Sequence, residues 1–306
     1  MMCNTVRAFA GLLLANLIAN GTGGVPPPRV QPVRVTRVAN VDGTFSPDGK
    51  LIAFASNRQS ANPSEYDIWI ANSDGSYPRP LNAGAGTEET PMFSPDGKRV
   101  AYASDRSGNS DIYIRNVDGS GVIRLTDDSA DDIHPMWTAD GTRILFNSSR
   151  RARNSQDPEI FDVYEIHPDG SGLHQLTRHE GVTTYASLSP DGHTLLFRRL
   201  VGDNSEVFVS APDGSHPKNL TNDPGFDGWP VFSRSGKKIA FVSSRTSGSG
   251  SEIFVMDSDG SNLVQLTHSG MRSFAPSFSL DGRRLLFTQS GNGIADLFIL
   301  DVPMSE

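Results

Sequence analysis

The chain has 306 residues, 36% of them hydrophobic, and its 27 Lys+Arg against 35 Asp+Glu leave a net charge of −8. Counted together with its 30 Gly, that apolar share is ordinary for a globular protein and makes wholesale disorder unexpected, while the acidic balance removes any general drive toward nucleic acid or anionic membrane surfaces. Thirty Gly and twenty Pro point to many tight turns between short strands, and the single cysteine, Cys3, excludes an intramolecular disulfide.

At the N-terminus one cation, Arg7, precedes the apolar run Ala8 to Ala19, which is followed by Asn20-Gly-Thr-Gly-Gly24 and by Pro26 to Pro28. This order reads as a secretory signal over residues 1–24 and a Pro-rich linker over 25–29. A bilayer span needs about 20 apolar residues, so no stable membrane span is expected. The expected location is the periplasm or the cell exterior.

Residues 30–303 read as one repeat unit used six times, with 304–306 as a tail. The units open with Phe45-Ser-Pro-Asp-Gly-Lys50, Phe93-Ser-Pro-Asp-Gly-Lys98, Trp137-Thr-Ala-Asp-Gly-Thr142, Leu188-Ser-Pro-Asp-Gly-His193, Phe232-Ser-Arg-Ser-Gly-Lys237 and Phe278-Ser-Leu-Asp-Gly-Arg283. After each comes an apolar run, then an acid that opens a second run: Asp67, Asp111, Asp162, Glu206, Glu252 and Asp296. A second turn closes five units at Gly75, Gly119, Gly170, Gly214 and Gly260. Pro sets φ near −65° and Gly accepts the left-handed position, so Ser-Pro-Asp-Gly between apolar runs is hairpin chemistry. Four antiparallel strands per unit make one propeller blade, and six make a ring. The expected fold is all-β, a six-bladed β-propeller.

The spacing adds a polarity. From each second-turn glycine to the next first-turn glycine the distance is 22 residues in all five cases, whereas first to second runs 26, 22, 29, 22 and 24. Length variation therefore sits in the loop between the second and third strands, on the face opposite both Asp-Gly turns, and binding is expected on that variable face. The last unit stops after its third strand, and Val30 to Arg37 ends in Val35-Thr36, matching Leu125-Thr126 and Leu176-Thr177. The N-terminal strand is expected to complete the final blade.

These motifs resemble the TolB-like six-bladed propellers, whose signature is F/W-S-P-D-G-K, S-x-R, then D-I-Y and D-G-S…L-T. The resemblance covers about residues 30 to 302 and speaks for fold more than for function. TolB itself carries an N-terminal α/β domain, and here barely 30 residues precede the repeats, so the chain reads as a free-standing propeller, expected to be a monomer. Propellers of similar type also precede serine peptidase domains, for which no chain remains after residue 306.

Two residue sets invite a functional reading. The Arg of Ser-x-Arg (Arg58, Arg106, Arg150, Arg245) and the acid opening the third strand recur around the ring, and a catalytic group has no reason to recur. They are expected to be structural ion pairs facing each other across a hairpin. Seven residues before each first-turn glycine stand Asp42, Thr90, His134, Tyr185, Trp229 and Ala275; nine before stand Asn40, Glu88, Asp132, Thr183, Asp227 and Ser273. These two rings differ from blade to blade and should surround the channel mouth. Asp42, Glu88, Asp132, His134, Tyr185, Asp227 and Trp229 are the candidate ligand-binding residues.

No P-loop, dinucleotide fingerprint, Gly-x-Ser-x-Gly or zincin motif occurs, so no catalytic residue, metal or cofactor is assigned. The expected function is a non-catalytic binding propeller that takes a protein segment or a small polar ligand. The alternative is a carbohydrate-active enzyme, a lyase or hydrolase of acidic oligosaccharides, sited at the channel mouth. Propeller lyases hold a metal through histidines, so convergence of two more ligands on His134 would favour it. The locally basic loop from Arg150 to Glu159 reads as a solvated surface loop, with partner docking as its second reading.

Overall fold

The computed structural model describes residues 32–35, 39–60, 62–81, 86–152, 160–179, 181–246, 248, 250–291 and 293–303. The signal and linker read over 1–29, residues 153–159 of the loop that begins at Arg150, and the tail at 304–306 lie outside the described residues.

Six four-stranded antiparallel sheets follow one another along the chain. Blade 1 is β2 (Asn40–Phe45), β3 (Leu51–Ser56), β4 (Asp67–Asn72) and β5 (Arg79–Pro80), and blade 2 is β6 (Glu88–Phe93), β7 (Arg99–Ser104), β8 (Asp111–Asn116) and β9 (Ile123–Arg124). Blade 3 is β10 (Asp132–Trp137), β11 (Ile144–Ser148), β12 (Asp162–Ile166) and β13 (His174–Gln175). Blade 4 is β14 (Thr183–Leu188), β15 (Leu195–Val201), β16 (Asn204–Ser210) and β17 (Lys218–Asn219). Blade 5 is β18 (Asp227–Phe232), β19 (Lys238–Ser243), β20 (Glu252–Asp257) and β21 (Val264–Gln265). Blade 6 is β22 (Arg272–Phe278), β23 (Arg284–Gly291) and β24 (Ile294–Asp301), with β1 (Val33–Arg34) pairing antiparallel to β24 as its outer strand. The first strands β2, β6, β10, β14, β18 and β22 each touch the next around the ring, so they form its inner wall.

The first turn is built alike in five of the six blades, and Ser235 stands in the Asp position of blade 5. In blade 1 the Ser46 hydroxyl donates to Asp48 Oδ1 at 2.6 Å, the Lys50 N–H donates to the same oxygen at 3.1 Å, and the Gly49 N–H closes onto the Ser46 carbonyl at 2.9 Å with φ of 69°. Those two donors hold the Asp48 carboxyl below its ordinary range. Asp96, Asp140, Asp191 and Asp281 repeat the arrangement.

The core lies between blades rather than within them. Ala53, Ile68 and Ile70 of blade 1 pack with Phe93, Val100 and Tyr102 of blade 2, and Phe45, Phe54 and Trp69 pack with Leu286 and Leu297 of blade 6. Each sheet buries its two faces against its neighbours, which is why the second strands read as near-continuous apolar runs instead of alternating.

The Arg pairing differs from the expected one. Arg106, Arg150 and Arg245 bind Glu88, Asp132 and Asp227 on the first strand of their own blade, and Arg58 donates to Asn40 Oδ1 at 2.8 Å. In each, the neighbouring Ser Oγ accepts from the Arg Nε and turns the guanidinium inward, over paired aromatic rings such as Phe146 and Tyr164 under Arg150. Three of the third-strand acids are held instead from the fourth strand or just after it, Asp111 by Arg124 at 2.7 Å, Glu206 by Thr221 at 2.6 Å and Asp296 by Arg34, while Asp162 pairs with Arg151, next to the Ser-x-Arg arginine, at 2.6 Å. Blade 4 lacks Ser-x-Arg, but Arg199, at the serine's register, lies over Phe197 and Phe208 in the same way.

Candidate functional site

Every first strand carries a β-bulge at one register: between Val41 and Thr44, Glu89 and Met92, Ile133 and Met136, Thr184 and Ser187, Gly228 and Val231, and Phe274 and Ser277. The residue inside each bulge has a left-handed backbone: Asp42 (φ 56°), Thr90 (52°), His134 (53°), Tyr185 (53°), Trp229 (48°) and Ala275 (51°). Outside glycine such a conformation costs roughly 1–3 kcal/mol, and a β-branched Thr or a bulky Trp there is a genuine outlier.

The bulge decides which predicted residues meet. In a regular strand, residues seven and nine before the glycine share a face. The extra residue breaks that alternation, and the two rings part. The seven-before residues all line one cavity in the central channel, with Thr44, Met92, Met136, Val231 and Ser277 also in its wall. The nine-before residues do not reach it as free groups. Glu88, Asp132 and Asp227 are buried beneath their arginines, about 1% exposed or less. Burial, outweighing Arg150, raises Asp132 above the ordinary range, and it pushes Asp227 up to about 6. Of the seven candidates, Asp42, His134, Tyr185 and Trp229 therefore come together, and Glu88, Asp132 and Asp227 hold the wall behind them.

The cavity has two unlike sides. On blades 3 to 6 an aromatic arc runs from His134, stacked on Tyr185 at 3.9 Å, to Trp229 at 5.1 Å and on to Phe226 and Phe274. His134 Nδ1 lies 3.2 Å from Asn147 Oδ1, which also accepts the Tyr185 N–H at 2.9 Å. Burial lowers His134 to about 3, so it is a neutral ring at physiological pH. Arg198 stands behind this arc, its Nε donating to Ser205 at 2.6 Å and its guanidinium over Phe226.

On blades 1 and 2 the wall is acidic. Burial, and next Glu89, push the Asp42 carboxyl up to about 7, against an opposing hydrogen bond from the Thr90 backbone. Sequence reasoning passed over Glu89, Arg198, Phe226 and Phe274, and left Thr90, although in its ring, off the candidate list. A signal was present: Pro91, Pro135, Pro230 and Pro276 all stand directly after the bulge residue, and Pro inside a strand marks a bulge or an edge. Among the described residues no group of three His, Cys, Asp or Glu is placed to hold a metal.

Six closed blades whose innermost strands each turn one side chain into a shared channel define a six-bladed propeller with a varied channel lining. The chain belongs to the PD40 family, the TolB beta propeller domain, which matches residues 45–199 and 154–306. It is similar in fold to a TolB candidate from Agrobacterium tumefaciens (22% identity, TM-score 0.67, 88% of this chain and 92% of that one). TolB from Acinetobacter baumannii matches at 22% identity and TM-score 0.65, over 88% of this chain and 64% of that one. The oligogalacturonate lyase of Vibrio parahaemolyticus shares the fold at 14% identity and TM-score 0.60, over 90% and 94%. Among curated proteins, an uncharacterised protein of Agrobacterium fabrum is 31% identical over 85 residues, 28% of this chain and 29% of that protein. The chain thus matches less than a third of that relative's length.

Proposed function

We propose that this chain is a non-catalytic binding propeller of the periplasm or cell exterior that takes a protein segment or a small polar ligand at its channel mouth. The observation that carries this reading is the ring of six left-handed residues. The backbone geometry repeats in every blade, and glycine would satisfy it at least cost, yet the six positions hold Asp, Thr, His, Tyr, Trp and Ala. A scaffold need explains the bulge but not the diversity; a recognition surface explains both. Membership of the TolB propeller family, and the absence among the described residues of any helix long and apolar enough to cross a membrane, agree with it. The carbohydrate-active alternative draws on the lyase fold, but at 14% identity that likeness concerns fold alone, and His134 faces Asn147 rather than further ligands.

The test is capture from envelope extract, with the native protein's N-terminus read by mass spectrometry. Binding should be lost in a Trp229→Ala, His134→Ala double variant that still unfolds in one cooperative transition, and the mature chain should start between Ala19 and Val30. Full binding by the double variant would move the site off the channel, with the loop after Arg150 next in line. An intact Met1 in a soluble cytosolic fraction would remove the export half of the reading.

A further inference from the structure

The acidic side of the channel has an uncompensated group. Among the described residues no Lys, Arg or His forms an ion pair with the Asp42 carboxylate, although Glu88, Asp132 and Asp227, two residues earlier in their own register, each lie under an arginine. Beside it, Thr90 Oγ1 is buried without a hydrogen-bond partner among the described residues, and the cavity floor adds the hydroxyls of Thr44 and Ser277, 3.4 Å apart. These are acceptors gathered on one wall. Across the cavity, of about 100 Å³, stand Tyr185 and Trp229.

Resting on the channel as the binding site, we propose that its ligand presents an alkylammonium group, with Asp42 as the counter-charge, Thr90 Oγ1 as a further acceptor and the Tyr185–Trp229 rings along the apolar stem. An ammonium carries three donors and no acceptor, which suits a wall of a carboxylate and hydroxyls. Aromatic faces within about 6 Å add to cation affinity. A carboxylate ligand would instead meet Asp42 and Glu89. Arg198, the nearby cation, is tied to Ser205 and stacked over Phe226 behind the aromatic arc, so it biases a bound cation toward the Asp42 side. The chain's net charge of −8 favours approach of a cationic partner.

Two sources share this chemistry, a free amine and a lysine side chain of a protein segment. The groups facing Asp42 are Glu89 and the Thr90 N–H from β6, Tyr185 from β14, and the Thr288 hydroxyl of β23, which accepts the Asp42 N–H at 3.1 Å. Of these, Asp42 titrates in the neutral range, so a bound cation should draw off its proton.

Calorimetry with n-butylamine and with a short lysine-containing peptide tests the proposal, using n-butyrate, galactose and the norleucine version of the peptide as controls. Expected is amine binding that tightens as pH rises through 7, releases a proton near pH 6 in buffers of differing ionisation enthalpy, and weakens at least tenfold in Asp42→Asn. Tighter binding of the lysine peptide than of butylamine assigns the source as a protein segment; equal binding assigns a free amine. Binding of butyrate or galactose in place of the amines, lost in Trp229→Ala, overturns the ammonium class and leaves the channel site standing. No binding of any probe, with segment capture unaffected by the Trp229→Ala, His134→Ala pair, overturns both. The proton-release measurement uses the unmodified protein and decides the case should Asp42→Asn fail to fold.

Discussion

Asp42 sits where two demands conflict. Its backbone pays for a left-handed turn and its carboxyl is held half-buried beside Glu89, which pushes it up to about 7 from an ordinary 3.8. The folded state therefore binds a proton that the unfolded chain has lost, and stability falls as pH rises from about 4 to about 7, then levels off. The full shift corresponds to about 4 kcal/mol, which the open side of the cavity reduces to roughly 2. Asp42→Asn should consequently unfold like the parent at pH 4 and be about 2 kcal/mol more stable at pH 8, in denaturant titrations at the two pH values. A constant difference between the two proteins across that range would show that Asp42 keeps an ordinary carboxyl. A group that destabilises the empty protein at its working pH is held for something other than folding.

At the scale of the element, the inner strand does two jobs on either side of its bulge. Before the bulge it anchors a buried acid to the arginine that follows the second strand: Asp132 meets Arg150 at 2.9 Å and Asp227 meets Arg245 at 2.9 Å. After it, the chain delivers a side chain to the channel. Burial raises the carboxyls of both Asp132 and Asp227 despite their arginines, so desolvation consumes much of what the pairing returns. Arg150→Met should then cost about 3–5 kcal/mol, because it strands a buried charge, while the Asp132→Asn, Arg150→Met double variant should recover most of that loss. Additive costs in the cycle would mean the two side chains do not act as a pair. The repeat count, the turn chemistry and the place of the seven-before ring were legible because each rests on residues with strong local rules: Pro, Asp, Gly and apolar runs. The bulge was marked only by the proline after four of its six residues, because Asp, Thr, His, Tyr, Trp and Ala carry no common left-handed preference, and period-two reading put Glu88, Asp132 and Asp227 on the wrong side of the wall. Arg199 was hidden for a similar reason: it reaches the ring pair of Phe197 and Phe208 from the serine's register, outside the Ser-x-Arg pattern.

At the scale of the molecule, the outer strand of the last blade comes from the other end of the chain. The Cβ that an alanine would add at Gly214 clashes with the Leu176 carbonyl of the preceding blade, and at Gly75 it clashes with the Val35 carbonyl. Val35 thus plays for blade 1 the part that the leucine of Leu-Thr plays elsewhere, as the match of Val35-Thr36 to Leu176-Thr177 implied. The Val35 N–H also donates to the Leu297 carbonyl at 2.9 Å, extending the β1–β24 ladder. Gly49 and Gly75 are both left-handed, at 69° and 81°, but nothing lies within 4 Å of a Cβ at Gly49. Gly49→Ala should therefore cost only the backbone strain, about 1–2 kcal/mol, whereas Gly75→Ala must also drive the closing strand away and should cost clearly more. In a chain shortened to begin at Val38, Val35 is gone and the ladder to β24 with it. That parent should already melt well below the full chain, and adding Gly75→Ala to it should then cost no more than Gly49→Ala does. If Gly75→Ala remains the costlier change in the shortened chain, its penalty comes from within blade 1, and the ring is held shut by the Phe45, Trp69 and Leu286 core rather than by the N-terminal strand.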